Sequence, residues 1–180
     1  MAAQAYRQKQ PASTPGAGPQ RASSPPPPPA ALRWLVVGVA VGVILLVALP
    51  VAMMIGRDGF LAESIMQNDP SLDPRQLEFA INAAIIYAVV IHAIDVVLTI
   101  WFVVKVLQGR QWARIALTAY LVVATFGSLY SAGSGSAYLW AVIPSDVLHI
   151  AMLALLWVPR SVRRFFAAHR AARQAELGSR

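Results

Sequence analysis

Residues 79–104 read FAINAAIIYAVVIHAIDVVLTIWFVV, an apolar run of 26 residues that contains one histidine, His92, and one charged residue, Asp95. As a helix rising about 1.5 Å per residue, this run is about 39 Å long, which exceeds the roughly 30 Å of bilayer hydrocarbon. Just upstream, Asp73 precedes Pro74, the pairing that caps a helix and opens its first turn. The run therefore predicts a membrane-spanning helix that begins outside the hydrocarbon.

Three more apolar blocks accompany this run, and the composition agrees with a membrane protein. Of the 180 residues, 57% are hydrophobic and only 13% are charged, whereas a soluble domain carries about 25% charged residues. We therefore predict an all-α integral membrane four-helix bundle within residues 33–159. The predicted spans are 34–55, 79–104, 113–130 and 138–158. A cleaved signal peptide is the alternative for the first block. However, 33 residues precede the block, and this is long for the N-terminal region of a signal peptide.

The two flanks of the bundle differ in chemistry. Residues 1–32 are rich in Pro, Ala and Ser and include five consecutive prolines at 25–29, so we predict a disordered tail with a short polyproline segment. That segment serves either as a spacer or as a ligand for an aromatic-lined groove. Residues 160–180 are basic and are predicted to form a helix or tail.

The distribution of positive charge predicts the orientation. Of the 15 Lys and Arg residues, only Arg57 and Arg75 fall on the side of the membrane opposite the termini in a four-span arrangement. The segment that holds them also carries five acidic residues. Basic residues favour the cytoplasmic side. We therefore predict a multi-pass protein of the inner (plasma) membrane with both termini in the cytoplasm.

The polar residues of the second span fall on one helical face. Steps of three and four residues join Ala80, Ala84, Ala88, His92, Asp95 and Thr99. Small residues allow close helix approach, so the Ala80, Ala84 and Ala88 face is predicted to contact protein. Asp146 and His149, three apart in the fourth span, repeat the pair in reverse order. Counted from the cytoplasmic ends of both spans, His92 lies level with Asp146 and Asp95 with His149, which predicts two crossed pairs between adjacent helices.

Four roles are open to this polar cluster. It is a hydrogen-bonded clasp between helices, a proton or ion relay, a metal or haem ligand set, or a catalytic site. No ligand-spacing motif supports metal or haem. Ser145 adjoins Asp146 but points to a different helix face, and no nucleophile motif surrounds it. The chain has no cysteine. We therefore predict no catalytic residues, no metal site and no cofactor.

Two further features concern packing and lipid contact. Gly38 and Gly42 form a G-x-x-x-G pattern in the first span, which indicates either dimerisation or close packing within the same bundle. The C-terminal segment is predicted to lie against anionic headgroups. Its proposed lipid-contacting residues are Arg160, Arg163, Arg164, Phe165 and Phe166.

Two stretches carry a family resemblance. GRQWARIALT at 109–118 and LLWVPRSVRRFF at 155–166 resemble uncharacterised small four-span membrane proteins of actinobacteria, which often have a Pro-rich cytoplasmic N-terminus. The likeness extends over residues 79–166. It implies a fold and a location, carries no activity, and does not include the His/Asp cluster.

The functional prediction is a non-enzymatic membrane protein. A scaffold or accessory subunit is favoured, with anionic lipids as partners and with other proteins or further copies of the chain as candidate partners. The alternative is a small transporter, channel subunit or proton-linked sensor that uses the His/Asp cluster. No nucleic-acid partner is expected, because the basic residues flank the spans and no nucleic-acid-binding motif is present.

Overall fold

The computed structural model describes residues 26–133 and 138–178, and this part of the chain is all-α as predicted. The helices are α1 (Ala30–Ile55), α2 (Ala62–Asn68), α3 (Leu77–Leu107), α4 (Gln111–Gly133), α5 (Leu139–Trp157) and α6 (Arg160–Gly178). A π-helical turn, Arg57–Leu61, precedes α2, and a 3₁₀ turn, Pro74–Gln76, precedes α3.

Four of these helices, α1, α3, α4 and α5, are long and apolar enough to cross a membrane. Their outward faces are apolar, with Ile44 67% and Val123 70% exposed, as expected for side chains that meet lipid. The predicted membrane bundle is therefore confirmed. α1 begins within the segment predicted to be a disordered tail. Residues 1–25 of that tail lie outside the described residues, as do residues 134–137 between the third and fourth predicted spans.

Local chemistry sets the helix boundaries. The Asp73 carboxylate accepts a hydrogen bond from the backbone N–H of Arg75 at 2.9 Å, which confirms the predicted cap. Gly109 follows α3 with a φ of 68°, a left-handed conformation that suits glycine at a helix end. Pro159 separates α5 from α6 because its nitrogen has no hydrogen to continue the helix.

The four spans form a ring. α1 packs against both α3 and α5, and α4 also packs against both. Consequently α3 and α5 lie diagonally opposite each other. The predicted side-by-side arrangement of the second and fourth spans is wrong. Their ionisable residues face a shared interior, where Asp95, Asp146 and His149 meet side chains of α4.

The main hydrophobic core lies at the end of the bundle that bears the two termini. It joins the start of α1, the end of α3, the start of α4 and the end of α5 to α6. A smaller core at the opposite end contains Met53, Leu61, Ile81 and Ala88. The bundle is thus packed most extensively at the end that α6 covers.

The placement of α6 corrects one prediction. Phe165 and Phe166 are 3% and 1% exposed and belong to the main core, so they do not contact headgroups. They are buried because α6 folds back against the ends of α1 and α5. Arg160, Arg163 and Arg164 remain exposed on the outer surface of α6.

Candidate functional site: an intramembrane polar network

α3 supplies the first part of the network. Each residue of the predicted polar and small-residue stripe is at least partly buried, and Ala88 and Thr99 are each 5% exposed. His92 Nδ1 lies 2.8 Å from the carbonyl oxygen of Ala88. A carbonyl can only accept, so Nδ1 carries the hydrogen. The intrahelical bond fixes the ring on the inward face of α3.

α4 and α5 supply the second part. Ser128 Oγ donates a short hydrogen bond to Asp146 Oδ1. His149 Nδ1 lies 3.8 Å from the same carboxylate oxygen and 3.1 Å from Thr125 Oγ1. The side chains of Asp146 and His149 are only 16% and 14% exposed. Two hydroxyls of α4 therefore provide polar partners for both ionisable residues of α5.

Asp95 connects the two parts. Its carboxylate faces the Tyr120 hydroxyl of α4 and interacts electrostatically with His92 on its own helix and with His149 across the interior. Tyr120 also faces Thr99, although Thr99 Oγ1 has no partner within hydrogen-bond geometry among the described residues. Tyr120 thus lies between the two polar positions of α3.

The crossed pairs predicted from the sequence do not form as direct contacts. His92 bonds to the backbone of α3, and Asp146 bonds to Ser128 and faces His149 of its own helix. Within residues 26–133 and 138–178, none of the ion pairs joins α3 to α5. Asp95 and His149 face each other across the interior without a hydrogen bond between them. The diagonal placement of α3 and α5 explains the difference.

The sequence reasoning missed the contribution of α4. Thr118, Thr125 and Ser128 each bond to a side chain of α5, with Thr118 Oγ1 accepting from Trp157 Nε1 at 2.8 Å. Steps of seven and three residues place the three hydroxyls on one helical face. That spacing was a readable signal for the helix that partners α5.

One chemical property of the network concerns the proton on Asp146. Ser128 Oγ is within reach of two acceptors, the Asp146 carboxylate and the Thr125 carbonyl at 3.1 Å, but a hydroxyl has one hydrogen. When Asp146 is ionised, Ser128 donates to it. When Asp146 is protonated, it can donate to Ser128 Oγ, and the Ser128 hydrogen turns to Thr125. The same heavy-atom positions accommodate both protonation states.

Metal binding finds no geometric support in this network. In the described part of the chain, no group of three or more His, Cys, Asp or Glu side chains is close enough to hold a metal ion. The network can donate and accept hydrogen bonds.

The G-x-x-x-G pattern of α1 is used inside the bundle. A Cβ added at Gly38 would lie 3.1 Å from Met152 Cγ, and one at Gly42 would lie 3.5 Å from Leu148 Cδ2. Both contacts are with α5 of the same chain. Of the two interpretations of this pattern, packing within the bundle is the one that the structure contains.

A buried arginine at the α4–α5–α6 junction also escaped the sequence reasoning. Arg114 is 4% exposed, and its Nε and Nη2 donate to the carbonyl oxygen of Leu156 at 3.1 and 2.8 Å. Its guanidinium carbon lies 3.8 Å from the centre of the Trp157 ring and 5.1 Å from that of Phe166. Arg114 thereby satisfies a carbonyl that the end of α5 leaves without a helical partner.

Comparison with known proteins adds no assignment to this geometry. No family model matches the chain, and neither a curated protein nor a solved structure matches it.

Proposed function

We propose that the chain is a non-enzymatic, multi-pass protein of the plasma membrane that acts as a scaffold or accessory subunit. The observation that carries this proposal is the engagement of the intramembrane ionisable groups by neighbouring helices. Hydroxyls of α4 face Asp95, Asp146 and His149, and a backbone carbonyl holds His92. Groups engaged in this way act first as interhelical contacts that fix one arrangement of the bundle.

A lipid-facing groove on α3 is the surface proposed to receive a partner helix. It is an open, shallow surface formed by side chains of α3 alone. Its lining comprises Phe79, Asn82, Ala83, Ile86, Tyr87 and Val90. Asn82 places an exposed amide among apolar side chains, and amides commonly bond across helix interfaces in membranes. The proposed occupant is a transmembrane helix of another subunit.

Site-specific photo-crosslinking in native membranes tests this docking. A photoreactive phenylalanine analogue replaces Ile86 in the groove or, as a matched control, Ile115, which is 55% exposed on α4. We expect a discrete protein adduct from position 86 and none from position 115. Adducts with lipid alone at both positions would contradict a scaffold that uses this groove.

The proposed orientation has both termini in the cytoplasm. The end of the bundle near the termini carries Arg33, Lys105 and Arg110 as well as the arginines of α6, and such an excess favours the cytoplasmic side. The chain contains no cysteine, so a maleimide can label only the single cysteine that is introduced. An impermeant maleimide is expected to label Ser71→Cys in intact cells and Ala171→Cys only after lysis. The reverse pattern would invert the topology.

A proton-linked function is the second candidate, and the two hydrogen-bonding arrangements available to Ser128 and Asp146 favour it. The test is proton flux into liposomes that contain the purified protein and a trapped pH dye. Wild-type flux that Asp146→Asn abolishes, and that Ser131→Ala leaves unchanged, would support this candidate. Proton flux equal to that of empty liposomes would contradict the proton-linked function, and the scaffold proposal would then stand by itself.

The proposal also places the outer surface of α6 at anionic headgroups. Arg160, Arg163, Arg164 and Arg170 are exposed on this helix. Basic residues next to a membrane each gain about 1 kcal/mol from an anionic leaflet. The lipid contact rests on these arginines and on the core that holds α6 against the bundle.

A further inference from the structure

Within the described part of the chain, no ion pair compensates the positive charge of Arg114. The charged groups that interact with its guanidinium are Arg163 and Arg170, both of like sign. Arg163 and Arg170 lie three residues before and four residues after Phe166, whose ring centre is 5.1 Å from the Arg114 guanidinium carbon, so both share the helical face that covers Arg114. Three guanidinium groups thus converge at the junction of α4, α5 and α6.

The hydrogen bonds of Arg114 do not cancel this charge. Its acceptor, the Leu156 carbonyl, is neutral and belongs to the C-terminal end of α5. The partial charge at a helix C-terminus is roughly −0.5, against three positive charges here. The aromatic faces of Trp157 and Phe166 add cation–π attraction but no net negative charge.

Acidic side chains are concentrated elsewhere in the molecule. Of the eight acidic residues, five lie between residues 58 and 78 at the opposite end of the bundle, and Asp95 and Asp146 lie near its middle. The eighth, Glu176, is on the last turns of α6, beyond Arg163 and Arg170. The charge at the junction therefore calls for an anion from outside the bundle.

We propose that the junction binds the phosphate of an anionic lipid headgroup, with Arg163 and Arg170 as direct ligands and Arg114 supplying charge from beneath. The planar donor fork of arginine suits phosphate oxygens. Trp112 and Trp157, 46% and 42% exposed beside the junction, are of the type that marks the membrane interface, where headgroup phosphates lie. This inference rests on the proposed lipid contact of α6 and names its site.

Lipid titration of the purified full-length protein in a mild neutral detergent tests the inference. Affinity for phosphatidylglycerol and for phosphatidylcholine is read from the fluorescence of the interfacial tryptophans and from the thermal midpoint. The test variant is Arg163→Gln with Arg170→Gln. The control is Arg33→Gln, because Arg33 is exposed at the same end of the bundle but lies on α1, on the opposite side of the ring from α4.

We expect the wild type to prefer phosphatidylglycerol, the double variant to lose about tenfold or more in that affinity, and Arg33→Gln to lose less than about twofold. Both variants change exposed residues, so their lipid-free thermal midpoints should match that of the wild type.

Three results would overturn the inference in distinguishable ways. A wild type without preference for phosphatidylglycerol would remove the proposed lipid contact and the site together. A preference that the double variant and Arg33→Gln weaken equally would leave the lipid contact and remove the site. Inorganic phosphate that binds the wild type as tightly as the lipid does would assign the junction to soluble phosphate.

Discussion

The hydroxyl of Ser128 donates to the carboxylate of Asp146, joining α4 to α5 at the level of the intramembrane polar network. This bond lies between neighbouring helices of the ring, whereas Asp146 and His92 are on helices that face each other diagonally. The side chain that meets Asp146 is therefore a small hydroxyl from the adjacent helix. We therefore expect energetic coupling between residues on adjacent helices, such as Ser128 and Asp146, and little coupling between residues of α3 and α5.

A double-mutant cycle on Ser128→Ala and Asp146→Asn is expected to give a coupling energy of about 0.6 to 1.7 kcal/mol, the range for interhelical hydrogen bonds in membranes. The measurement is reversible unfolding in mixed micelles. The matched single control is Ser131→Ala, because the Ser131 hydroxyl is exposed and, among the residues that the structure describes, bonds to Gly127 of its own helix. Its effect should be negligible.

The companion cycle pairs His92→Gln with Asp146→Asn. We expect a coupling near zero, since the His92 ring bonds to the Ala88 carbonyl and makes no hydrogen bond to Asp146. A strong coupling in this second cycle, together with a weak one in the first, would restore the crossed arrangement and overturn the one described above.

The sequence predicted the inward face of each span better than it predicted the neighbours of that face. The Ala84, Ala88, His92 and Asp95 spacing identified the buried side of α3, because a helical period relates positions on one element. Whether α3 touches α5 depends on the order of four helices around a ring, which no single period encodes. The Thr125 and Ser128 spacing on α4 was the available clue to that order.

Replacement of Gly38 by leucine should destabilise the bundle, because a Cβ there already lies 3.1 Å from Met152 Cγ. Overpacking of this kind costs about 1 to 3 kcal/mol. Gly127→Leu is the matched control, since a Cβ at Gly127 has no atom within 4 Å. Thermal unfolding in detergent measures both. Equal midpoints for the two variants would indicate that α1 and α5 are not in close contact.

Arg114→Gln should lower stability by about 1.5 to 3 kcal/mol, because two charge-assisted bonds to Leu156 are lost. Arg114→Lys should recover little, since an ammonium group cannot make the same paired bonds or stack on Trp157 in the same way. The exposed Arg110→Gln provides the control for loss of a positive charge at the same end. Full recovery by lysine would mean that charge alone matters at this position.

The burial of Arg114 was beyond the reach of the sequence. Its place at the edge of an apolar span was consistent with a topology signal, and the other basic residues near the spans gave no reason to single it out. Its burial depends on α6, which turns at Pro159 and brings Phe166 over the guanidinium. A tertiary contact 52 residues away along the chain determines its environment.

Phe166→Ala tests whether α6 is a packed part of the bundle or a segment lying on lipid. Phe166 is 1% exposed within the main core, and truncation of a buried phenylalanine costs about 3 to 5 kcal/mol. Phe126, 70% exposed on α4, is the same residue type facing outward, so Phe126→Ala should cost far less. Hydrogen exchange of the α6 amides, read by mass spectrometry, should speed up in Phe166→Ala and not in Phe126→Ala. Unchanged exchange and an unchanged thermal midpoint in Phe166→Ala would contradict the packing of α6 against the bundle. α6 would then be a helix that lies on the membrane surface and is bound there through its arginines.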